Sequence, residues 1–265
     1  AMKKLNYQPN EMARALSRRS SNTIGVIMPH LDHPYFSMLL SHLDDAACEA
    51  HYRLLVFKSK GRESRTEEYL DICNGNRVAG IILCSGHVRT EVFSNGGSPL
   101  ITMERFMEHG TSAVECDNFQ GGRLAARHLI GKGCKRLLAF TGVRGMGMPA
   151  DQRVEGFRGV CRENGVEYWE VPIDPRIYDT LEYGELIEQE LDACSGVDGI
   201  FAGSDVIAAQ VIQACSRRNI SIPGQMKVVG FDDTRIASLT TPGITTIHQP
   251  VREMAHLAVS LIASA

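Results

Sequence analysis

The chain has 265 residues, with 28 Lys and Arg against 31 Asp and Glu, 43% hydrophobic and 22% charged. That is close to the soluble average and excludes collagen-like, low-complexity and disordered chains. The net charge of −3 speaks against a globally basic nucleic-acid binder, yet it hides an asymmetry. Residues 1–19 carry Lys3, Lys4, Arg14, Arg18 and Arg19 against Glu11 alone, a +4 arm on a −7 body,.

No apolar run approaches the roughly 18 residues of a membrane-spanning helix. The N-terminus has positive residues but no apolar h-region of a secretory signal. The eight cysteines (Cys48, Cys73, Cys84, Cys116, Cys134, Cys161, Cys194 and Cys215) form no C-x-x-C pair and follow no zinc spacing,. Most sit inside apolar runs, where a thiol packs as a small hydrophobe. Scattered reduced thiols fit a reducing compartment. A cytoplasmic location, no membrane partner, no metal and no cofactor are therefore expected.

In chain order, short β-branched runs alternate with amphipathic stretches. Thr23–Met28 reads as a strand, and residues 35–51 as a helix with Phe36, Leu39, Leu40, Leu43, Ala47 and Ala50 near one face,. Arg53–Phe57 is a strand, 63–74 a helix, and Ala79–Cys84, Pro99–Met103 and Ala113–Cys116 are strands. A helix over 119–131 is closed by Gly131 and Gly133. Arg136–Thr141 follows as a strand, then helices over 150–164 and 180–193. Asp198–Ala202 is a strand, 205–218 a helix, and Met226–Phe231 the last clear strand. Continuous apolar strands between helices mean parallel sheets covered on both faces. There are too many for one sheet, so an α/β chain of two doubly wound lobes is expected.

In open parallel sheets ligands bind at the carboxyl ends of the strands. Those ends offer His30, Asp32 and His33 with Tyr35 and Phe36, then Ser85, Glu104 and Arg105, Asp117 and Asn118, 142–147, Ser204 and Asp205, and Asp232 and Asp233. Asp, Ser and Arg with rings nearby suit a small polyhydroxylated molecule. No nucleophile elbow, H-E-x-x-H or P-loop occurs, so no enzyme is expected. Gly145-Met-Gly147-Met-Pro-Ala150 formally matches a dinucleotide fingerprint. However, extra residues follow Thr141, and Pro149 removes an N–H from the phosphate cradle. A Gly-rich cleft loop is the preferred reading.

At the N-terminus, Pro9 and Asn10 mark a helix start. The helix runs only to about Ser17, too short to persist alone in water. It carries Ala13 and Leu16 between basic neighbours, which suits a minor-groove wedge or, equally, a solvated basic linker.

Leu5-Asn-Tyr-x-Pro-Asn with Ala13-x-x-Leu16, Thr23-Ile-Gly-Val-Ile, Pro34-Tyr-Phe36, Asp117-Asn-Phe-Gln-Gly-Gly122, Arg153-Val-Glu-Gly-Phe157, Ser204-Asp205-x-x-Ala208, Val228-Val-Gly-Phe-Asp-Asp233 and Thr245-Thr-Ile-His-Gln-Pro250 occur in one order. That ordered set resembles the LacI/GalR (lactose repressor) family of transcription regulators. The resemblance implies a periplasmic-binding-protein-like fold whose two lobes clamp an effector in the cleft between them. Residues 1–21 would be the end of a DNA-binding headpiece and its hinge helix, the rest of that headpiece being absent. Residues 22–132 with about 244–265 would form the N-terminal lobe, and 133–243 the C-terminal lobe.

By the same resemblance the effector residues are His33, Tyr35, Phe36, Ser85, Arg153, Tyr178, Ser204, Asp205 and Asp232. The DNA-contacting hinge residues are Asn10, Ala13, Leu16, Arg18 and Arg19. The implied partners are operator DNA, a small polar effector such as a sugar, and a second copy of the chain in a homodimer. Two rivals stand beside this reading. An extracytoplasmic sugar-binding protein of a transporter shares the two-lobe fold but lacks the basic arm. A nucleotide-cofactor enzyme would rest on Gly145 and Gly147.

Overall fold

The computed structural model describes residues 21–60, 62–84, 98–104, 112–143 and 148–265. The elements in chain order begin with β1 (Thr23–Met28), α1 (Pro34–Glu49), β2 (Arg53–Lys58), α2 (Glu63–Gly75), β3 (Gly80–Leu83), β4 (Leu100–Met103) and β5 (Ser112–Val114). Then come α3 (Asn118–Gly131), β6 (Arg136–Val143), α4 (Asp151–Glu163), β7 (Glu167–Ile173), α5 (Pro175–Thr180) and α6 (Gly184–Ala193). The chain closes with β8 (Gly199–Ala202), α7 (Asp205–Arg217), β9 (Lys227–Asp232), α8 (Arg235–Leu239), β10 (Thr245–His248) and α9 (Val251–Ala263). Among the described residues, no helix is long and apolar enough to cross a membrane.

The chain divides into two compact units. The first comprises the chain up to His30, Leu39–Val114 and Arg252–Ala265, and the second Leu31–Met38 and Glu115–Val251. The first unit holds a parallel sheet of order β2-β1-β3-β4-β5. Its inner strands β3 and β4 are short, apolar and buried throughout. Leu70 and Cys73 of α2 pack with Ile27, Ile81 and Leu83 in one core cluster.

The second unit holds a parallel sheet of order β10-β9-β8-β6-β7. Alternation along its strands feeds two cores. Leu137, Ala139, Phe201, Val229 and Phe231 pack with Ala125, Ala126 and Leu129 of α3 and Phe157, Val160 and Cys161 of α4. Leu138, Phe140, Ile200, Ala202 and Val228 pack with Tyr183, Ile187 of α6 and Ile207, Ala208, Val211 and Cys215 of α7. This is the doubly wound arrangement expected from the sequence.

On one face α3 and α4 touch backbone to backbone. A Cβ on Gly122 would lie 1.8 Å from the Arg153 carbonyl oxygen, and one on Gly156 would lie 2.0 Å from that of Phe119. Only glycine at both positions permits that approach, and it seats Arg153 against the start of α3.

Several features differ from the sequence expectation. Leu31–Met38 falls in the second unit, although 22–132 was expected in the first. The helix α3 belongs to the second unit rather than the first, because its apolar face shares a core with Phe157 and Phe231. The chain returns to the first unit at Arg252, not near 244, because β10 pairs with β9. The strands β7 and β10 were also not expected. They are the two edges of their sheet and are largely half-exposed, so neither carries a continuous apolar run,.

Candidate functional site

The starts of α3 and α4 and the residues that follow β8, β9 and β10 in the second unit bring together one cluster of buried polar side chains. Its centre is Arg153, on the first turn of α4, which is 9% exposed. Its guanidinium carbon lies 3.6 Å from the centre of the Phe231 ring. Nε donates to Asn118 Oδ1 at 2.7 Å and Nη1 donates to the Gly203 carbonyl at 2.9 Å. Nη1 also lies 3.9 Å from Asp232 Oδ1. A planar fork lying on an aromatic face is thus aimed by three elements at once: α3, the β8–α7 turn and the end of β9. Arg suits this role because its donors are fixed in one plane.

Asp232 ends β9 at a φ of +107°, and Asp233 follows at +55°. The left-handed region is costly for a side-chain-bearing residue, of order 1–3 kcal/mol in its rarer parts, and such strain concentrates at functional sites. Asp232 Oδ1 accepts from Gln249 Nε2 at 2.7 Å. The Gln249 side chain is buried, and its Oε1 has no partner among the described residues.

Tyr183 stands nearby. Burial, followed by the charges of Tyr178 and Asp232, pushes its hydroxyl well above the ordinary tyrosine range. It stays protonated and can donate. Tyr178, half-buried on α5, packs against the same core cluster.

Ser204 is the N-cap of α7, its Oγ accepting from the Ile207 N–H at 3.4 Å. Asp205 departs from the expectation of effector contact. It is fully buried, and its two oxygens accept from the Thr234 N–H (2.7 Å), Thr234 Oγ (2.9 Å) and Thr246 Oγ (2.6 Å). Burial raises its pKa, opposed first by Thr246 and then by the Thr234 bonds. Those bonds tie α7 to the β9–α8 turn and to β10, so its acceptor capacity is turned inward.

His33, Tyr35 and Phe36 sit together at the start of α1. His33 Nδ1 accepts from the Tyr35 N–H at 3.2 Å, capping the helix. The Phe36 ring meets His33 and Tyr35 edge-on, at 5.6 and 5.2 Å between ring centres. Asp117 caps α3, accepting from the Gln120 N–H at 2.8 Å. Asp151 Oδ2 accepts from the Met148 N–H at 2.8 Å and so fixes the end of the Gly-rich segment to α4.

Ser85, Arg105, Gly145, Gly147 and the hinge residues Asn10, Ala13, Leu16, Arg18 and Arg19 lie outside the described residues. Among the described residues, no cluster of three His, Cys, Asp or Glu could hold a metal ion.

Two residues escaped the sequence reading: Tyr183 and Gln249. Asn118 was read with Asp117 at a strand's carboxyl end, Gln249 lay inside the Thr245–Pro250 motif, and Tyr183 offered only its place before Gly184. Their importance comes from what they touch across the fold. Chemically, the cluster presents a donor fork, a carboxylate acceptor and side-chain amides around an aromatic face. Groups of these types can hydrogen-bond hydroxyls.

Residues 126–265 match the periplasmic binding protein-like domain family. The chain is 30% identical over 270 residues to the ribose operon repressor of Escherichia coli, across 99% of this chain and 81% of that protein. It is 29% identical over 262 residues to the sucrose operon repressor of Streptococcus mutans, across 99% and 80%. This chain belongs to the LacI family of transcriptional regulators. Among solved structures, a periplasmic binding protein/LacI transcriptional regulator from Alkaliphilus metalliredigens, complexed with D-xylulofuranose, matches with a TM-score of 0.80. It is 28% identical, with 91% of this chain and 90% of that one covered. The relatives of this LacI-family chain are repressors rather than enzymes, as the motif order implies.

Proposed function

We propose that this chain is the effector-sensing core of an operon repressor, and that its effector is a sugar or sugar derivative. The observation that carries the reading is the buried Arg153–Asp232 pair on the Phe231 ring at the carboxyl edge of a parallel sheet. A guanidinium donates to sugar oxygens, a carboxylate accepts from two neighbouring hydroxyls, and an aromatic face suits the C–H side of the ring. Relatives named for sucrose and ribose operons, and a related structure complexed with D-xylulofuranose, support the same ligand class.

Arg153 and Asp232 are the polar grips, Ser204, Tyr178 and Ser85 are carried over from the sequence as further hydroxyls, and His33, Tyr35 and Phe36 supply ring cover. Asp205 is left out because its oxygens serve the fold. The effector acts by its differential affinity for two conformations of the repressor, which then differ in operator affinity. In a cytoplasmic homodimer, two hinge segments would present Leu16 to the minor groove, with Arg18 and Arg19 adding salt-sensitive phosphate contacts.

A thermal-shift screen across pentoses, hexoses, disaccharides, sugar phosphates, purines and NAD(P) tests the reading. Stabilisation by a sugar, lost on Arg153→Ala, is the expected result, since a ligand that binds only the folded state raises its midpoint. Stabilisation by NAD(P) alone, or by no sugar at all, overturns it.

A further inference from the structure

The second unit carries opposite charge on the two faces of its sheet. Successive side chains of β6 and β8 point to opposite sides, so α3 and α4 cover one face and α6 and α7 the other,. From Phe119 to Arg136, through α3 and the turn into β6, the chain has five Lys and Arg and no Asp or Glu. From Asp174 to Ala193, through α5 and α6, it has seven Asp and Glu against Arg176 alone.

Part of this charge is neutralised within the unit. Arg123 pairs with Glu163 at 3.0 Å and Arg136 with Glu167 at 3.0 Å, while Glu188 and Asp192 take Arg217 and Arg218. Four cations and four anions are left over. Arg127, Lys132 and Lys135, with Arg162 of α4, are exposed and make no ion pair among the described residues. Exposed Asp179, Glu182 and Glu185, with half-buried Glu190, make none either. The two sets cannot meet within one molecule, because the sheet and both of its cores lie between them. Two helix layers, each about 10 Å across, also hold them further apart than the Debye length of about 10 Å at 0.1 M salt.

The basic face is not only basic. Phe119 and Leu124 of α3 stand 44% and 46% exposed beside its cations, with the Arg123 guanidinium carbon 5.9 Å from the Phe119 ring centre. Large apolar side chains among cations suit a protein surface better than a row of phosphates, which offers them no apolar cover. The acidic face has the matching parts, since Leu186 and Leu191 of α6 are only partly buried between its carboxylates. The complement to each face is thus carried by the same chain.

We propose that the second unit joins copies of this chain head to tail, the basic α3 face of one copy docking on the acidic α5–α6 face of the next. A contact between two different surfaces is heterologous, so it adds copies to a ring or an open row instead of closing a two-fold pair. It is therefore separate from the homodimer proposed above, and it stands whether or not the effector is a sugar. Exposed ion pairs are individually weak and screened by salt. The contact consequently serves copies already held close together, as on neighbouring operators, more than copies free in solution.

Sedimentation velocity of the nuclease-treated chain, without sugar, at about 20, 150 and 500 mM salt reads the assembly. Wild type is expected to form species larger than a dimer at low salt, with a Kd of about 0.1–1 mM, weakened about tenfold or more at the highest salt. Arg127→Glu with Lys132→Glu makes both faces acidic, and Asp179→Lys with Glu190→Lys makes both basic. Each double variant alone should lose the larger species by about tenfold or more, and a one-to-one mixture should regain them to within about threefold of wild type. The mixture is the deciding arm, because each variant supplies the face that the other has lost.

A wild-type chain with no species beyond a dimer at low salt, double variants that assemble as wild type does, or a mixture that stays apart overturns the proposal. Assembly that appears only when duplex DNA of random sequence is added also overturns it, and assigns the basic face to nucleic acid. Should a charge-reversed variant fail to fold, Arg127→Gln with Lys132→Gln, or Asp179→Asn with Glu190→Gln, decides in its place. Either neutral pair should weaken assembly about threefold or more, and an unchanged Kd in both overturns the proposal.

Discussion

Asp205 and Asp232 are both buried carboxylates at the carboxyl edge of the same sheet, and they do opposite work. Asp205 opens α7 with three internal donors on its oxygens, all from Thr234 and Thr246. Asp232 closes β9 at a φ of +107°, held by the Gln249 amide and 3.9 Å from a guanidinium. A carboxylate that takes three donors from its own fold is a bolt. One held in a strained backbone beside an opposite charge is, on the proposed function, an effector group. Burial alone does not separate the two; the source of the donors does.

That contrast is broken or sharpened by removing each partner set in turn. Asp205→Ala orphans one backbone and two hydroxyl donors, at roughly 1–3 kcal/mol each, so a loss of about 3 kcal/mol or more is expected in urea unfolding. The sugar Kd of the folded fraction should stay within about threefold. Arg153→Lys keeps the positive charge beside Asp232 but gives up the planar fork that reaches Asn118 and Gly203,. Its folding cost should be only about 1 kcal/mol, while calorimetry should show sugar binding weakened by about 10–100-fold. An Asp205→Ala variant that binds poorly yet unfolds at the wild-type midpoint would erase the distinction.

The sequence made this division only partly legible. Interior strands such as β8 and β9 were readable because a strand covered on both faces is a continuous apolar run,. Their carboxyl ends, and with them Ser204, Asp205 and Asp232, followed from that reading, whereas Arg153 came only from the resemblance that motif order carries. The edges β7 and β10 were not readable, since half-exposed strands such as Glu167–Ile173 mix polar and apolar residues without a run. Missing β10 misplaced the point where the chain returns to the first unit. It also hid Gln249, whose role depends on β10 lying beside β9. The fate of Asp205 was illegible for the same reason, because one of its donors, Thr246, sits on that unrecognised strand. Residue type gives a group's capacity to bond, but not which neighbours exhaust it.

The ion pairs outside the cluster extend the comparison to groups that hold neither a ligand nor a core. Glu188 on α6 takes Arg217 of α7 and the C-cap Arg218, whose hydrogen bonds hold its carboxyl below the ordinary glutamate range. A lowered folded-state pKa stabilises above the unfolded pKa and is lost as pH falls through the folded one. Glu188→Gln should therefore leave stability at pH 3 almost unchanged and lower it slightly at pH 7, flattening the acid limb below about pH 4–5.

Asp233 supplies the smallest expected effect and the sharpest control, because it adjoins Asp232 in sequence. Its Oδ2 lies 2.9 Å from His248 Nδ1, with the two side chains 48% and 70% exposed. Pairs so open to water contribute about 0–1 kcal/mol. Asn tolerates the left-handed region as well as Asp does, so Asp233→Asn adds no backbone cost at its φ of +55°,. It also removes a charge that raises the Asp205 pKa, which offsets part of the lost pair. Urea unfolding should register a change of about 0.5 kcal/mol or less. A loss comparable to that of Asp205→Ala would mean that the surface pair, and not the three internal donors, fastens the β9–α8 turn.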